Sequence, residues 1–598
     1  MPWIQRTSPP ANKILNFSLK NFAGGLNNRS QILMENEASD MMNMSFADNT
    51  LMKKRFGTKK FDTVNIGGAV EYIDNYSPYN DTQKLVRASD KKLFIGTTEI
   101  TSTSGSYDMK GVNFNGGFFF TTGTTLYYYN KHPQATIGDY IQVIGTPVND
   151  YKMMAVVTPP AGFTPLPSPH KKGKTVYDYT NNRIYYQPCQ YEIDDPYKGA
   201  NVVPTTTNYV ATLKGRVYVS GQDNDNDNVF ITDVGNQFYF PVALPIKPTP
   251  NADRVTSLIA YDDSIIVFRK YDIHAISGVT NNPELGIDMF MLKRLNSHTG
   301  CEAGRSIAVV HNSLFFLGSD GNVYGITHAR NADANTIVTH ILSRQIDLLK
   351  HPVNLTTTEL KVANGCFHDD LYYLSAGDKV LVYSYRHQAW TIYNQLYVTA
   401  MYVRDGALYM GDIDGDTVVF DETKYTDKSS YPYRAYWTSM FFDMGEANTY
   451  KQLREFYILG HTFDDLNSEI KLQFEVDHNE LKTEVIIPNQ IARFGVSKWG
   501  DKFIKKNINA SIPFVVGRRA RQIRFTIANG ADVEYVLSNV GELETVPGKR
   551  DGMLVYVTGV GYKRYTISNT WEDLDPIELN QPMLVYQVNG DYEMRGKR

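Results

Sequence analysis

The stretch Arg404-Asp-Gly-Ala-Leu-Tyr-Met-Gly-Asp-Ile-Asp-Gly-Asp-Thr-Val-Val-Phe420 contains a pattern that decides the fold: a polar turn, an apolar run, a second turn and a second apolar run. Earlier stretches repeat it: Asp262-Asp263-Ser-Ile-Ile-Val-Phe268, His311-Asn-Ser-Leu-Phe-Phe-Leu-Gly-Ser-Asp-Gly-Asn-Val-Tyr-Gly-Ile326 and His368-Asp-Asp-Leu-Tyr-Tyr-Leu374. The apolar runs are short and rich in β-branched and aromatic residues. Because the bounding Asp, Asn, Gly and Ser residues accept a positive φ or bond their own backbone, each stretch is predicted to be a β-hairpin.

The spacing of these hairpins predicts the architecture. Their onsets lie at Asp263, Asn312, Asp369 and Asp405, unevenly spaced around the roughly 40 to 50 residues that one four-stranded propeller blade occupies. A propeller buries both faces of many small sheets and leaves only short edges exposed. The predicted core is therefore a β-propeller in an all-β protein, and stacked β-sandwiches are the alternative.

Changes of pattern along the chain predict six regions. A Pro-rich run, Pro159-Pro-Ala-Gly-Phe-Thr-Pro-Leu-Pro-Ser-Pro169, interrupts the repeat, and strictly alternating strands such as Ile470-Lys-Leu-Gln-Phe-Glu-Val-Asp477 follow it later. The predicted regions are a lead-in (1–62), the first propeller blades (63–131), a projecting insertion that could dock a partner (132–204), the remaining blades (205–430), a β-sandwich (431–548) and a C-terminal tail that docks on neighbours (549–598).

Two local expectations concern the lead-in. The stretch Ala38 to Met44 is expected to form a short helix, with its methionines as adaptable filler. The basic run Lys53-Lys-Arg55 is expected to be a solvated turn.

Composition narrows the class of protein. The chain has 598 residues, a formal net charge of −4 and an aromatic content of 13%, including 41 Tyr. The charge argues against a tight grip on nucleic acid but is compatible with a non-adhesive DNA conduit. The sequence shows no membrane-spanning run and no signal peptide, so synthesis in a cytoplasm is expected. Abundant Tyr suits half-buried sheets and interfaces.

The search for catalytic, cofactor or metal residues assigns none, so a non-enzymatic protein without cofactor is expected. The Asp223-Asn-Asp-Asn-Asp-Asn228 run resembles a calcium loop but lacks its required Gly and Glu, and a solvated hairpin tip is favoured over weak calcium binding. Asp412-Ile-Asp-Gly-Asp416 is expected to be a turn. The other residues considered are expected to be structural: Cys189, Cys301 and Cys366 as reduced thiols, His274, His311, His368 and His387 as turn or surface histidines, and Asp369-Asp370 and Asp464-Asp465 as turn residues.

Several motifs, taken in order, resemble a known family. They are Phe22-Ala-Gly-Gly-Leu-Asn27, Asn43-Met-Ser-Phe46, Lys54-Arg-Phe-Gly57, Asn228-Val-Phe-Ile-Thr-Asp233, Ser257-Leu-Ile-Ala-Tyr-Asp-Asp-Ser-Ile-Ile-Val-Phe268, Gly300-Cys-Glu-Ala-Gly304, Leu314-Phe-Phe-Leu-Gly318, Phe442-Asp-Met-Gly445 and Arg518-Arg-Ala-Arg-Gln-Ile-Arg524. The order is similar to that of the tail nozzle and packaged-DNA stabilisation proteins of short-tailed phages. The resemblance spans residues 20 to 545 but excludes the insertion and the tail after residue 549.

The resemblance implies a virion structural protein in a phage tail. It implies a ring of identical copies, expected to be a hexamer, that prolongs the DNA channel below the portal and adaptor and helps to retain and eject the genome. The expected partners are further copies of the chain, adaptor or portal-proximal proteins, tail fibres, and double-stranded DNA that passes through the lumen without sequence recognition. The first alternative is a tail-tip receptor-binding protein for host polysaccharide, and the second is a propeller glycosidase or lyase.

Overall fold

The structure is a computed structural model in which nearly all regular structure is antiparallel β-strand, so the predicted all-β class is confirmed. In the described part of the chain, helix is limited to α1 (Thr357–Lys361) and the 3-10 helix Gly304–Ser306. The residues described are 14–30, 32–46, 51–78, 82–89, 92–102, 110–114, 116–121, 126–130, 140–143, 174–178, 183–187, 207–222, 225–232, 240, 246, 253–282, 287–296, 299–331, 334–428, 433–461, 470–486, 507–513, 519–529, 535–537, 543, 554–557, 561–565, 570–574 and 584–594.

The N-terminal segment supplies short strands to sheets that are otherwise formed by distant parts of the chain. The strands are β1 (Ile14–Leu19), β2 (Gly25–Leu26), β3 (Glu37–Ala38), β4 (Asp40–Met42), β5 (Met44–Phe46), β6 (Met52–Lys54) and β7 (Gly57–Lys60). The helix expected from Ala38 to Met44 is wrong, because Met41 in β4 pairs with Trp437 in an antiparallel ladder. This tertiary pairing satisfies the backbone and outweighs a weak local preference for helix.

Two four-stranded sheets and a hairpin come next in the described part of the chain. Sheet S1 contains β8 (Tyr72–Tyr76), β9 (Lys84–Ser89), β10 (Lys92–Ile95) and β11 (Thr98–Ser102). Sheet S2 contains β12 (Lys110–Phe114), β13 (Gly117–Thr121), β14 (Leu126–Asn130) and β15 (Tyr140–Val143), so it extends past residue 131, where the insertion was expected to begin. Within the expected insertion, β16 (Lys174–Asp178) pairs with β17 (Arg183–Gln187), and most of its remaining residues lie outside the described part.

Five further sheets follow the repeat. S3 contains β18 (Tyr209–Leu213), β19 (Arg216–Gln222) and β20 (Asp225–Ile231); S4 contains β21 (Val255–Tyr261), β22 (Ser264–Arg269), β23 (Ile273–Asn282) and β24 (Ile287–Asn296). S5 contains β25 (Ala308–Val310), β26 (Ser313–Leu317), β27 (Val323–Asn331) and β28 (Ala334–Ile341); S6 contains β29 (Asn364–His368), β30 (Leu371–Ala376), β31 (Lys379–Ser384) and β32 (Ala389–Asn394). S7 contains β33 (Val398–Arg404), β34 (Ala407–Asp412), β35 (Thr417–Asp421) and the N-terminal strand β7.

The turns that start the repeated pattern have the backbone geometry that their composition predicts. Asp262, His311, Asp369 and Asp405 have φ values of 53°, 49°, 50° and 51° between the first and second strands of S4, S5, S6 and S7. This left-handed region suits the two-residue turns of tight hairpins. The predicted hairpins are confirmed.

The first strands of these sheets lie next to one another in chain order. Strand β8 contacts β12, β12 contacts β18, β18 contacts β21, β25 contacts β29, and β29 contacts β33. The 3-10 helix contacts both β21 and β29, and β33 in turn contacts β8 of the first sheet. Close approaches reinforce this arrangement: a Cβ built on Gly365 of β29 would lie 2.1 Å from the Ser306 carbonyl oxygen.

Two larger sheets combine strands from both ends of the chain. The later strands are β36 (Ala435–Thr438), β37 (Lys451–His461), β38 (Ile470–Val476), β39 (Asn479–Ile486), β40 (Asn507–Pro513), β41 (Arg519–Ala520), β42 (Ile523–Asn529), β43 (Tyr535–Leu537), β44 (Leu554–Val557), β45 (Gly561–Tyr565), β46 (Trp571–Leu574) and β47 (Leu584–Met594). Sheet SA has the order β40-β37-β47-β6-β5, with β1 also on β47 and β41 on β37; sheet SB has the order β39-β38-β42-β36-β4. Strands β43 to β46 form a separate sheet.

Sheets SA and SB pack through aromatic side chains. Phe456 of SA lies with its ring 4.9 Å from the rings of both Phe474 and Phe525 of SB. Strand β47 lies inside SA, and β1, β4, β5 and β6 come from the lead-in, so these sheets extend well beyond the residues 431–548 expected for the sandwich. Pairing between positions far apart in sequence leaves no local signal, which is why the boundaries differ.

Candidate functional site

One cavity of about 900 Å³ is lined by strand residues of S2, S3, S4, S6 and S7, by the segments that immediately precede S1 and S5, and by α1. Most of the strand residues come from the starts of first strands, and Asp378 and Ile413 come from turns between second and third strands, which lie at the same end of an antiparallel sheet. Representative lining residues are Glu71 before S1, Lys110 of S2, Tyr209 of S3, Arg254 before S4, Arg305 before S5, Asp378 of S6 and Tyr397 before S7. We call this space the central cavity.

Ion pairs and hydrogen bonds organise much of the charge around the central cavity. The Glu302 carboxylate lies 3.3 Å from the Lys361 ammonium, and Asp378 lies 2.8 Å from that of Lys379. Arg305 donates to the Glu71 carbonyl oxygen at 3.0 Å and thereby links S5 to S1. These charged groups on the cavity wall are therefore paired within the protein, and the Arg305–Glu71 bond joins the segments that precede S5 and S1.

A carboxylate between two tyrosines lies where the last of these sheets meets the first. Asp74 of β8 accepts hydrogen bonds from Tyr72 on the same strand and from Tyr402 on β33. Burial is the main cause that raises the pKa of Asp74 to about 6, and hydrogen bonds from Tyr72 and Tyr402 oppose it. The same burial raises the pKa of Tyr402 to about 12. We call this group the seam cluster.

The basic run of the lead-in is a buried electrostatic centre, so the solvated turn expected for Lys53-Lys-Arg55 is wrong. Lys54 and Arg55 are each only 1% exposed. Arg55 makes a two-pronged ion pair with Asp427 at 2.8 and 2.6 Å, and its guanidinium lies 3.7 Å from the centre of the Tyr433 ring. Burial lowers the pKa of Lys54 well below its ordinary value, and its ammonium donates to Asn529 at 3.1 Å. Asp427 and Tyr433 lie far from this run in the sequence, so no local pattern predicts them as its partners.

A second cavity of about 510 Å³ collects several residues that the sequence singles out. It lies against S6, S7 and the lead-in, and its lining includes His368, Asp369, Asp370 and His387. Asp369 and Asp370 form the predicted turn, both with positive φ, and His311 lies 3.0 Å from the Asp370 carboxylate. His387 instead contacts Phe46, with the two ring centres 5.5 Å apart and the rings tilted by 58°. The structure therefore brings these groups to one place without an arrangement that marks a nucleophile and its base.

The remaining sequence candidates are dispersed. His274 is buried, with its ring nitrogen 3.5 Å from the carboxylate of Asp272, and its pKa is lowered mainly by burial. Cys301 and Cys366 are free thiols whose pKa values burial raises to about 12. Three further candidates lie wholly or partly outside the described residues: Cys189, the Asp464-Asp465 pair, and the first residues of the run Asp223-Asn228.

The Asp412–Asp416 turn carries its own cation. The Lys428 ammonium lies 2.7 Å from Asp412, 2.6 Å from Asp414 and 3.6 Å from Asp416. In the described part of the chain, this turn included, no group of three or more His, Cys, Asp or Glu is arranged to hold a metal ion. The described helices are also too short or too polar to cross a membrane.

Comparisons with known proteins do not supply a family. No protein-family model matches the chain, and no curated protein matches it. Among solved structures, the computationally designed Ika8 protein matches with a TM-score of 0.31 and 10% identity, over 60% of this chain and 97% of that one. The N-terminal domain of Nup159 matches with a TM-score of 0.33 and 9% identity, over 64% of this chain and 99% of that one. The extracellular domain of the putative hybrid two-component system BT4673 from B. thetaiotaomicron matches with a TM-score of 0.25 and 11% identity, over 87% of this chain and 53% of that one. Scores this low say nothing about function.

Proposed function

We propose that sheets S1 to S7 are the blades of a seven-bladed β-propeller and that the chain is a structural protein of a phage tail. The observation that supports the propeller is the central cavity, which is lined by strands of five of these sheets and by the segments that lead into the other two, S1 and S5. The contact of β33 with β8 and the pairing of N-terminal β7 with β35 of S7 fit a ring whose last blade is completed by the start of the chain.

In the tail, identical copies surround the DNA channel below the portal and adaptor, with six as the expected number. A closed ring of copies joins one surface of each chain to a different surface of the next. The net charge of −4 gives the chain as a whole no strong attraction for the DNA backbone, which suits a conduit. The chain would retain the genome and release it mechanically, with no catalytic step.

The connection between the two parts of the molecule supports a mechanical role. The lead-in crosses from SB (β4) to SA (β5 and β6) and then to S7 (β7) within a few residues. The buried Arg55–Asp427 pair lies between β6 and β7 and fixes that crossing. Force applied to the sandwich sheets would therefore reach the propeller through a short, rigid connection.

The experiment is mass measurement of the purified chain followed by electron microscopy of any oligomer, and of virions labelled through this chain. A ring of about six copies with a lumen wide enough for duplex DNA, present in virions below the adaptor, is expected. A chain that stays monomeric and is absent from virions would overturn the tail assignment.

A second candidate function is recognition of a host polysaccharide at the tail tip. Exposed tyrosines in turns favour it, because aromatic rings stack on sugars: Tyr271 is 59% exposed, Tyr397 47% and Tyr385 44%. The isolated protein would then bind host cells, and alanine at these three positions would abolish that binding. Unchanged binding by the triple variant would remove this role for the tyrosines.

A further inference from the structure

We propose that the central cavity binds an extended acidic segment of a partner protein, with Arg254 receiving one of its carboxylates. This inference goes beyond the proposed tail function and does not depend on it. It concerns only the end of sheets S1 to S7 where the cavity opens.

The charged side chains on the wall of the central cavity differ in the partners that the protein itself supplies. The Glu302 carboxylate is shared between Lys361 at 3.3 Å and Lys270 at 3.9 Å. Glu359 accepts from both the backbone N–H and the hydroxyl of Thr356, which lowers its pKa, so it is held as a carboxylate at the start of α1. Glu302 is thus matched by two cations, and one oxygen of Glu359 is occupied by donors of Thr356.

Arg254 differs from the other charged groups on this wall. It lies immediately before β21, its side chain is exposed, and it lines the cavity. Within the described part of the chain it makes no hydrogen bond or ion pair. A guanidinium presents a planar fork that binds a carboxylate through two parallel hydrogen bonds. Arg254 is therefore a cation on this wall whose guanidinium is available within the described chain, and it is complementary to Asp, Glu or a chain-terminal carboxylate.

Apolar side chains near the mouth indicate that the ligand is a peptide segment. Val362, Ile413 and Tyr397 are 67%, 55% and 47% exposed, and all three line the cavity. A volume of about 900 Å³ accepts a short extended segment and excludes a folded domain. A peptide segment could place an acidic side chain against the Arg254 guanidinium and its apolar neighbours against these three exposed side chains.

The experiment is a random-peptide display selection on the full-length protein, followed by fluorescence polarisation with a labelled synthetic consensus peptide. We expect enriched sequences that combine Asp or Glu with apolar residues. Affinity should fall about tenfold or more in Arg254→Ala, and less in Arg254→Lys, which keeps the charge but loses the fork. Val362→Asp should also weaken binding, since it adds a like charge to that of the peptide.

Lys214→Ala is the control, because Lys214 is an exposed cation in the turn between β18 and β19, at the opposite end of the strands. Its peptide affinity should equal that of the wild type. Thermal melts establish that Arg254→Ala is folded. The proposal is overturned by a selection without acidic enrichment, by equal affinity in Arg254→Ala, or by inorganic pyrophosphate displacing the peptide completely at comparable concentration, which would assign the site to a small anion.

Discussion

Gly365 shows how closely the seven sheets approach one another at single residues. Its position in β29 leaves space only for a hydrogen, because a Cβ would lie 2.1 Å from the Ser306 carbonyl oxygen and 2.9 Å from the Tyr372 hydroxyl. The obstacle is backbone of the preceding sheet region, which cannot move as a side chain can. At this scale the sequence gives little warning, since a glycine in a strand is equally compatible with a bulge or a weak strand end.

Gly365→Ala should therefore destabilise the protein by about 1–3 kcal/mol through overpacking. Chemical denaturation monitored by tryptophan fluorescence measures the change. Gly325→Ala is the matched control in the adjoining sheet S5: its Cβ would meet only side-chain atoms, those of His340 at 3.0 Å and Phe315 at 3.2 Å, which can shift by a few tenths of an ångström more readily than backbone. An equal loss in both variants would contradict the argument from backbone contact.

The seam cluster predicts a pH effect that comes from one carboxyl group. An unfolded Asp titrates near pH 4, whereas the pKa of Asp74 in the fold is raised to about 6. Between these values the folded state binds more protons than the unfolded state, so this group's contribution to stability falls as the pH rises through that window. Above about pH 6, Asp74 is ionised in the folded state, and the free-energy cost of burying its charge lowers the stability in full.

Asp74→Asn should remove this dependence. Relative to the wild type, the variant should gain stability of the order of 1–3 kcal/mol as pH rises from about 4 to about 7. Parallel thermal melts of both proteins across that range measure it. A constant difference between the two proteins at all pH values would show that Asp74 does not titrate there.

At the scale of elements, sequence reasoning succeeds where partners are local. The turns at Asp262, Asp369 and Asp405 follow from their composition, and the strands beside them follow from their apolar runs. It fails in the lead-in, where β4 and β6 are defined by strands far along the chain. The central cavity could not be predicted from the sequence for the same reason, because Arg254 and the other cavity residues come together only when all the sheets are assembled.

Strand β7 allows a test of how S7 is completed. Thr58 pairs with Phe420 of β35, and its N–H donates to the Thr426 carbonyl oxygen at 3.1 Å. Thr58→Pro removes this donor and should cost roughly 1–3 kcal/mol, with faster hydrogen exchange in β33 to β35. Thr58→Ala keeps the N–H and isolates the loss of its side-chain bonds. If proline and alanine behave alike, the backbone bond from Thr58 to Thr426 contributes little to the stability of S7.

At the scale of the whole molecule, one hydrophobic core joins sheets SA and SB to S5, S6 and the lead-in. Phe22 of the lead-in contacts Trp437 of β36 edge-on at 5.2 Å, and the indole N–H of Trp390 in S6 donates to the Leu342 carbonyl oxygen at 3.1 Å. The lead-in thus lies between the parts that the sequence predicts as separate domains. We expect those parts to lose stability together when it is disturbed.

Arg55→Met tests this coupling, because it leaves Asp427 buried without its cation. A loss of about 3–5 kcal/mol is expected, with reduced hydrogen-exchange protection in both S7 and SA. Lys59→Ala is the control, since Lys59 is 51% exposed and lies 3.8 Å from Asp421. It should cost less than about 1 kcal/mol. Loss of protection confined to S7 would contradict the coupling.

The pairing of β1 with β47 has a consequence for synthesis. Ile14 lies opposite Glu593, so β1 is synthesised about 580 residues before the strand with which it pairs. At about 5–20 residues per second that delay is roughly half a minute to two minutes. During this time the unpaired edges of β1, β5 and β6 are open to association with other nascent chains. The ribosome-bound chain is therefore the form in which a chaperone would matter most.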